Sequence, residues 1–158
     1  PKLFNRIAEL VPEANFVWIG SGDCENELTA PNMQLTGWMP RDKALALAKG
    51  ADAFILCSLG EAIAMSLLEN MYMKKLILVS NVMGNKSVIQ DGVNGYVCET
   101  AEDYANRIKA AMKDFPVELP ERAYQDILTR YNTQRMKEKF IKFYKTLCSG
   151  VSFPFYDE

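Results

Sequence analysis

The sequence predicts an α/β domain in which a doubly wound, Rossmann-like parallel sheet is covered by helices on both faces. Apolar runs of strand length, Asn15-Phe16-Val17-Trp18-Ile19, Ala53-Phe54-Ile55-Leu56 and Leu76-Ile77-Leu78-Val79, lack a polar face, as strands buried on both sides require. Segments of helical period separate them, and that alternation marks parallel strands joined by crossover helices. With 158 residues, 49% hydrophobic and 24% charged, the chain is long enough for one core and is neither disordered nor fibrous.

Leu3, Ile7 and Leu10 share one face of a first helix that ends before Val11-Pro12. The first apolar run closes at Gly20-Ser21-Gly22-Asp23, and the acidic stretch from Asp23 to Pro31 reads as a loop. Met33-Gln34-Leu35-Thr36 is a second, shorter strand ending at Gly37. Arg41 to Gly50 forms a short helix whose Ala44, Leu45, Leu47 and Ala48 are expected to face a core. After the strand Ala53–Leu56, a tight Ser58-Leu59-Gly60 turn leads to a helix expected to open at Glu61 and run to about Met73. Ile63, Ala64, Leu67, Leu68 and Met71 cover most of its circumference, which predicts burial on nearly all sides.

The fourth strand, Leu76–Val79, precedes a loop from Ser80 to Lys86 and a helical turn from Ser87 to Gln90. Asp91-Gly92-Val93-Asn94-Gly95 reads as a pure turn before the strand Tyr96-Val97. Three helices close the chain, at about Glu102 to Phe115, Glu121 to Arg130 and Gln134 to Leu147. The last carries Met136, Phe140, Phe143, Tyr144 and Leu147 on one face, most simply core. In doubly wound sheets ligands sit beyond the carboxyl ends of the strands. The loops at Gly20 to Asp23, Gly37 to Pro40, Ser58 to Glu61 and Ser80 to Asn85 are therefore expected along one edge.

Composition narrows the chemistry. Lys and Arg number 18 against 20 Asp and Glu, with no basic run beyond pairs such as Lys74-Lys75, so a nucleic-acid groove is not expected. Histidine is absent, which removes His-based triads, His general bases and imidazole zinc sites. No Asp-x-Asp occurs either, so no metal site is expected. Cys24, Cys57, Cys98 and Cys148 are scattered and form no CxxC pair, which reads as reduced, cytosolic thiols. Neither a membrane span nor a secretion signal is written in the sequence. The chain opens without Met, as a piece of a longer protein would.

The strongest local feature is Glu61-Ala62-Ile63-Ala64-Met65-Ser66-Leu67-Leu68-Glu69, two carboxylates eight apart after a strand and a glycine. On a helix both would reach one cleft from different heights, and the free amides of Ile63 to Ser66 would suit a phosphate or a sugar oxygen. In the plainer reading Glu61 complements the helix dipole and Glu69 lies in solvent. Gly20-Ser21-Gly22 opens like a dinucleotide fingerprint, but Glu25 stands at the third glycine and no helix follows, so the NAD reading fails. Gly20 can still turn the chain beside a ligand. Trp38, at a strand end, can contact a base or simply pack.

Taken in order, Ala51-Asp-Ala-Phe-Ile-Leu-Cys-Ser58, Glu61-x7-Glu69, Lys75-Leu-Ile-Leu-Val-Ser-Asn81-Val-x-Gly84 and Val88-Ile-x-Asp-Gly-x-Asn-Gly-Tyr-Val97 resemble the C-terminal, donor-binding domain of the retaining GT-B glycosyltransferases called family 4. Ile19-Gly-Ser-Gly-Asp23 and the closing Arg130-Tyr-Asn to Phe143-Tyr-x-x-Leu147 extend the resemblance over nearly all of residues 1–158, with closing helices at about 121–147. It implies that Glu69 binds the ribose hydroxyls of a nucleotide sugar and that Glu61 meets a donor-sugar hydroxyl as the catalytic-site carboxylate. Amides of Ile63, Ala64, Met65 and Ser66 would hold the sugar and diphosphate, with Gly20 and Trp38 beside the nucleotide. Where the family has Gly-Phe-Gly after the first Glu, this chain has Ala62-Ile63-Ala64, and the extra methyl groups narrow the space beside the sugar.

The resemblance further implies a nucleoside-diphosphate sugar such as a UDP-sugar as substrate, no cofactor, and no metal. It places the domain's first strand, its diphosphate cations and an N-terminal domain binding a glycan or lipid acceptor outside residues 1–158. That strand is expected between Phe16–Ile19 and Leu76–Val79 or their neighbours, so the sheet should be split. A cytoplasmic location follows, at the inner membrane face if the whole protein associates peripherally with the membrane. Two alternatives stand beside it. A flavodoxin- or receiver-like regulatory domain would need a strand-end Asp where Cys57-Ser58 stands, and a GT-B-like sugar-nucleotide epimerase would typically lean on His.

Overall fold

The structure, a computed structural model, describes residues 1–148. The chain divides into two compact units, residues 1–124 and a second beginning at Gln125. In chain order the elements are α1 (Lys2–Leu10), β1 (Phe16–Trp18), a 3-10 turn (Glu25–Glu27), β2 (Met33–Leu35), α2 (Arg41–Lys49) and β3 (Ala53–Leu56). There follow α3 (Met65–Tyr72), β4 (Leu76–Ser80), α4 (Met83–Lys86), β5 (Tyr96–Cys98), α5 (Ala101–Lys113), α6 (Glu118–Thr129) and α7 (Thr133–Cys148).

All strand pairing is parallel: β1 with β2, and β3 with β4 and β4 with β5. The surroundings of β4 explain why Leu76–Val79 has no polar position. Leu76 and Leu78 point into a cluster formed with Phe4, Ile7 and Ala8 of α1, Val11 just after it, and Tyr104, Ala105 and Ile108 of α5. Ile77 and Val79 alternate to the opposite face and are equally buried, where α3 contributes the buried Leu67 and Met71. The expected α/β architecture with covered parallel strands is therefore present. Phe4 stands edge-on to Phe16 and Trp18, at ring separations of 5.7 and 5.4 Å, which ties α1 to β1. Thr100 and Asp103 form a reciprocal capping box that starts α5.

The strands fall into two separate sheets, β1-β2 and β3-β4-β5. β4 has both neighbours, so the break does not touch Leu76–Val79; in the second sheet only β3 and β5 have open edges. β3 is as apolar as β4 yet every one of its residues is only half-buried, the signature of an apolar strand with an uncovered edge.

Several expectations need correction. Leu47 is exposed and no residue of α2 is fully buried. α3 begins at Met65, not at Glu61, and it is not buried all round: Met65 and Tyr72 are exposed, while Leu67, Asn70 and Met71 are buried. Its one buried polar side chain, Asn70, is satisfied by donating to the Ser66 carbonyl at 2.8 Å. The helical turn expected from Ser87 to Gln90 forms earlier, as α4, because the buried Asn85 is anchored to Ser80. α7 buries none of its residues, so the face from Met136 to Leu147 is not core among the described residues. The turn after Asp91 is as expected: Gly92 has φ +70°, its amide donates to the Gly95 carbonyl at 2.9 Å, and the Asn94 side chain closes the loop from inside.

Candidate functional site

Parallel pairing places the predicted loops at matching strand ends. In the first sheet the amide of Gly20 donates to the Gly37 carbonyl at 3.2 Å, so the loops after β1 and β2 meet. Gly20 has φ +126° and Gly37 φ +66°, conformations that a side chain would strain. Trp38 follows directly and is 77% exposed, so it is not a core residue. In the second sheet the Ser80 hydroxyl donates to the Ser58 carbonyl at 2.6 Å, bringing the ends of β3 and β4 together. One ion pair, Arg41 of α2 with Glu69 of α3, connects the two sets.

Glu61 is four residues upstream of α3, on an extended lead-in whose Ala64 has φ −74° and ψ 127°. The two carboxylates therefore do not share a helix, and the reading of Glu61 as a dipole partner falls. Helical propensity of Glu-Ala-Ile-Ala is overridden by contacts that only a loop can make. The Ser58 hydroxyl donates to Glu61 Oε1 at 2.7 Å. Gly84 lies against the carbonyls of Glu61 and Ala62, so close that a Cβ would stand 2.1 and 2.2 Å from their oxygens. In a helix those carbonyls would instead accept from residues 65 and 66.

Leu68 is the first residue of α3 to find a helical acceptor, the Ala64 carbonyl at 3.3 Å. The amides of Met65, Ser66 and Leu67 are thus outside the helical ladder and point past the helix start, where an anion is favoured. Of the four amides singled out in the sequence, Met65 and Ser66 open the helix, while Ile63 and Ala64 precede it. Glu69 lies one turn further on with its side chain 23% exposed. It is neither buried nor free in solvent, because the Arg41 guanidinium holds Oε1. A carboxylate has about four lone-pair sites, so Glu69 keeps acceptor capacity for hydroxyl groups.

Ser58, Ser80 and Asn85 lie in loops that the sequence places at this edge, without a role for their side chains, and Arg41 was not singled out at all. Arg41 had a signal: a cation at the first position of a helix opposes the dipole and needs another partner, here Glu69. Beneath the strand ends, burial pushes the Cys57 thiol up to about 11 and that of Cys98 to about 12. The Tyr104 hydroxyl, raised chiefly by burial, donates to the Leu56 carbonyl at 3.1 Å. These groups are inert neutral packing at ordinary pH. Among the described residues no group of three or more Cys, Asp and Glu side chains is arranged to hold a metal ion, and no helix is long and apolar enough to cross a membrane.

In a parallel α/β scaffold ligands sit beyond the carboxyl ends of the strands, where these carboxylates and helix-start amides follow. Residues 2–127 match the family described as Glycosyl transferases group 1, and the chain belongs to that family. Over 99 residues, 57% of this chain and 25% of the relative, it is 30% identical to the Escherichia coli UDP-Gal:alpha-D-GlcNAc-diphosphoundecaprenol alpha-1,3-galactosyltransferase. Its fold is similar to that of Anabaena Alr3699/HepE in complex with UDP, with TM-score 0.76 at 14% identity over 91% of this chain and 44% of that one. It is similar to a glycosyltransferase from Rickettsia africae, with TM-score 0.75 at 19% identity over 94% and 44%. The pneumococcal O-GlcNAc transferase GtfA in complex with UDP and GlcNAc gives TM-score 0.70 at 20% identity over 93% and 32%. The chain thus spans a quarter of the Escherichia coli relative and less than half of each of these solved chains.

Proposed function

We propose that this chain is the donor-binding part of a retaining, family 4-like glycosyltransferase that moves a sugar from a nucleoside diphosphate, most simply UDP, to a polysaccharide or glycolipid acceptor. The observation that carries the reading is that Glu61, the Met65 and Ser66 amides and Glu69 follow one another in the lead-in and first turns of α3, the segment after β3, in a group 1 glycosyl transferase domain. Two of the relatives are named as complexes with UDP, and a third is named for its UDP-Gal donor.

In this reading Glu69 takes the ribose hydroxyls on its free acceptor positions, and the helix start of α3 faces the diphosphate. Glu61 accepts from a hydroxyl of the donor sugar, and Trp38 and Gly20 lie beside the base. Partial positive charge at the amides stabilises the leaving diphosphate as negative charge develops there. No cofactor or metal is required by this arrangement, and transfer by the whole enzyme is expected to continue in EDTA at a similar rate.

A strand paired between the first sheet and β3, supplied from outside residues 1–158, would complete the sheet, and an N-terminal domain would bring the acceptor. Location in the cytoplasm, at the inner membrane face, goes with that proposal. Titration of the chain with UDP, GDP, ADP and CMP, read by amide shifts in NMR so that millimolar binding registers, tests the reading. Selective shifts at Met65, Ser66 and Glu69 with one nucleoside diphosphate support it; no shift with any of the four sinks it.

A further inference from the structure

We infer that the segment closing β4, from Ser80 to Asn85, is a positioning device for Glu61. The inference rests on the reading of Glu61 as the donor-sugar contact and assigns Ser80, Gly84 and Asn85 a part in it. Because Glu61 lies outside α3, no helix fixes its carboxylate. Tertiary contacts must do so, and all of those described come from Ser58 and this one segment.

The first contact is a hydrogen-bonded chain. Asn85, fully buried, donates through Nδ2 to the Ser80 carbonyl at 3.0 Å and to Ser80 Oγ at 3.1 Å. With its oxygen so engaged, the Ser80 hydroxyl donates to the Ser58 carbonyl at 2.6 Å. Ser58 is thereby held by its backbone, and its own hydroxyl donates to Glu61 Oε1 at 2.7 Å. The Asn85–Ser80 bonds are buried and the two outer links part-buried, so an anchor in the core is passed outward to the Glu61 carboxylate.

The second contact is steric and independent of the first. Gly84 packs on the carbonyls of Glu61 and Ala62 at a distance no side chain permits, which sets how far the lead-in stands from the sheet. The Glu61 side chain is thus tied by one hydrogen bond, and its backbone carbonyl is braced by Gly84. A sugar hydroxyl must be met at one place for transfer, and misplacement by about 1 Å can cost on the order of a hundredfold in rate. Ser80, Gly84 and Asn85 are therefore positioning residues, without contact to the donor.

The test has two arms, each comparing Ser80→Ala and Gly84→Ala with the unchanged chain. Hydrogen exchange is measured across the domain, and affinities for UDP and UDP-galactose are measured by titration. Ser80→Ala is expected to speed exchange in residues 58–64 about tenfold while α1, β1 and β2 stay within about twofold. The preference for UDP-galactose over UDP should fall about fivefold, with UDP affinity held. Gly84→Ala should do the same by displacing the lead-in. Unaltered exchange in residues 58–64, or a uniform rise across both sheets, would overturn the inference, as would equal loss of both ligands. If the unchanged chain binds neither ligand, the nucleotide-sugar reading fails, and the exchange arm still decides whether the segment holds Glu61.

Discussion

The two sheets finish differently at their strand ends. Behind β3 and β4, Ser58, Ser80 and Asn85 are hydrogen-bonded in series and Glu61 is held between them and Gly84. Behind β1 and β2 the loops meet at two glycines with positive φ, the Gly20 amide donating to the Gly37 carbonyl and, at 3.4 Å, to the Thr36 hydroxyl, and Trp38 projects into solvent. The strands repeat the contrast: β4 is wholly buried, whereas Val17, Ile19 and Leu35 are exposed. Where apolar contacts are dense the ends are preformed; where they are sparse the ends are free to adjust. In the proposed function the sugar side of the site is the more extensively hydrogen-bonded of the two.

The largest effect that could break this contrast is on stability. Leu78→Ala, at a fully buried position of β4, is expected to cost about 2–5 kcal/mol in denaturant unfolding. Leu35→Ala in β2, where the side chain is 38% exposed, should cost less than about 1 kcal/mol. Equal losses would mean that the two sheets are one cooperative structure with no weaker half. Trp38→Ala sharpens the comparison on the binding side. It should leave the unfolding midpoint within about 0.5 kcal/mol and weaken UDP by about 1 kcal/mol, the lower end of base stacking for a ring with one face in water. Unchanged UDP affinity would remove Trp38 from the base site.

A further effect is expected from pH. Cys57 and Cys98 are raised from 9.0 to about 11 and about 12 by burial at the ends of β3 and β5. Above pH 9 the unfolded thiols ionise while the folded ones keep their protons, so the unfolded state holds fewer protons and stability falls with rising pH. The loss is expected to grow between pH 9 and the folded values, and a Cys57→Ala, Cys98→Ala double variant should show a shallower slope in thermal unfolding. The same slope in both proteins would place the alkaline loss elsewhere.

The sequence was informative where local physics and tertiary structure agree. Leu76–Val79 reads as a strand covered on both faces and is one, and Asp91 to Gly95 reads as a turn because its glycines and Asn94 suit nothing else. It misled where tertiary contacts override propensity. Glu61 to Ala64 has helix-forming residues, yet Gly84, more than twenty residues away, occupies the place where helical hydrogen bonds would form. Leu47 and the face of α7 look like core because periodicity reports an apolar face but not what covers it. The candidate site was legible in its carboxylates and helix-start amides. Its supporting shell was legible only as two loops expected at that edge, since the hydrogen bonds joining Ser58, Ser80 and Asn85 exist only once β3 and β4 pair.

In the proposed function the two carboxylates have different duties, and titration of UDP and UDP-galactose against Glu69→Ala and Glu61→Ala tests this most directly. Glu69→Ala is expected to weaken both ligands by about 1.5–3 kcal/mol, as for lost hydrogen bonds to a charged acceptor. Glu61→Ala should leave UDP unchanged and weaken UDP-galactose alone. UDP affinity that is untouched by Glu69→Ala, or lost equally in both variants, would contradict the assignment.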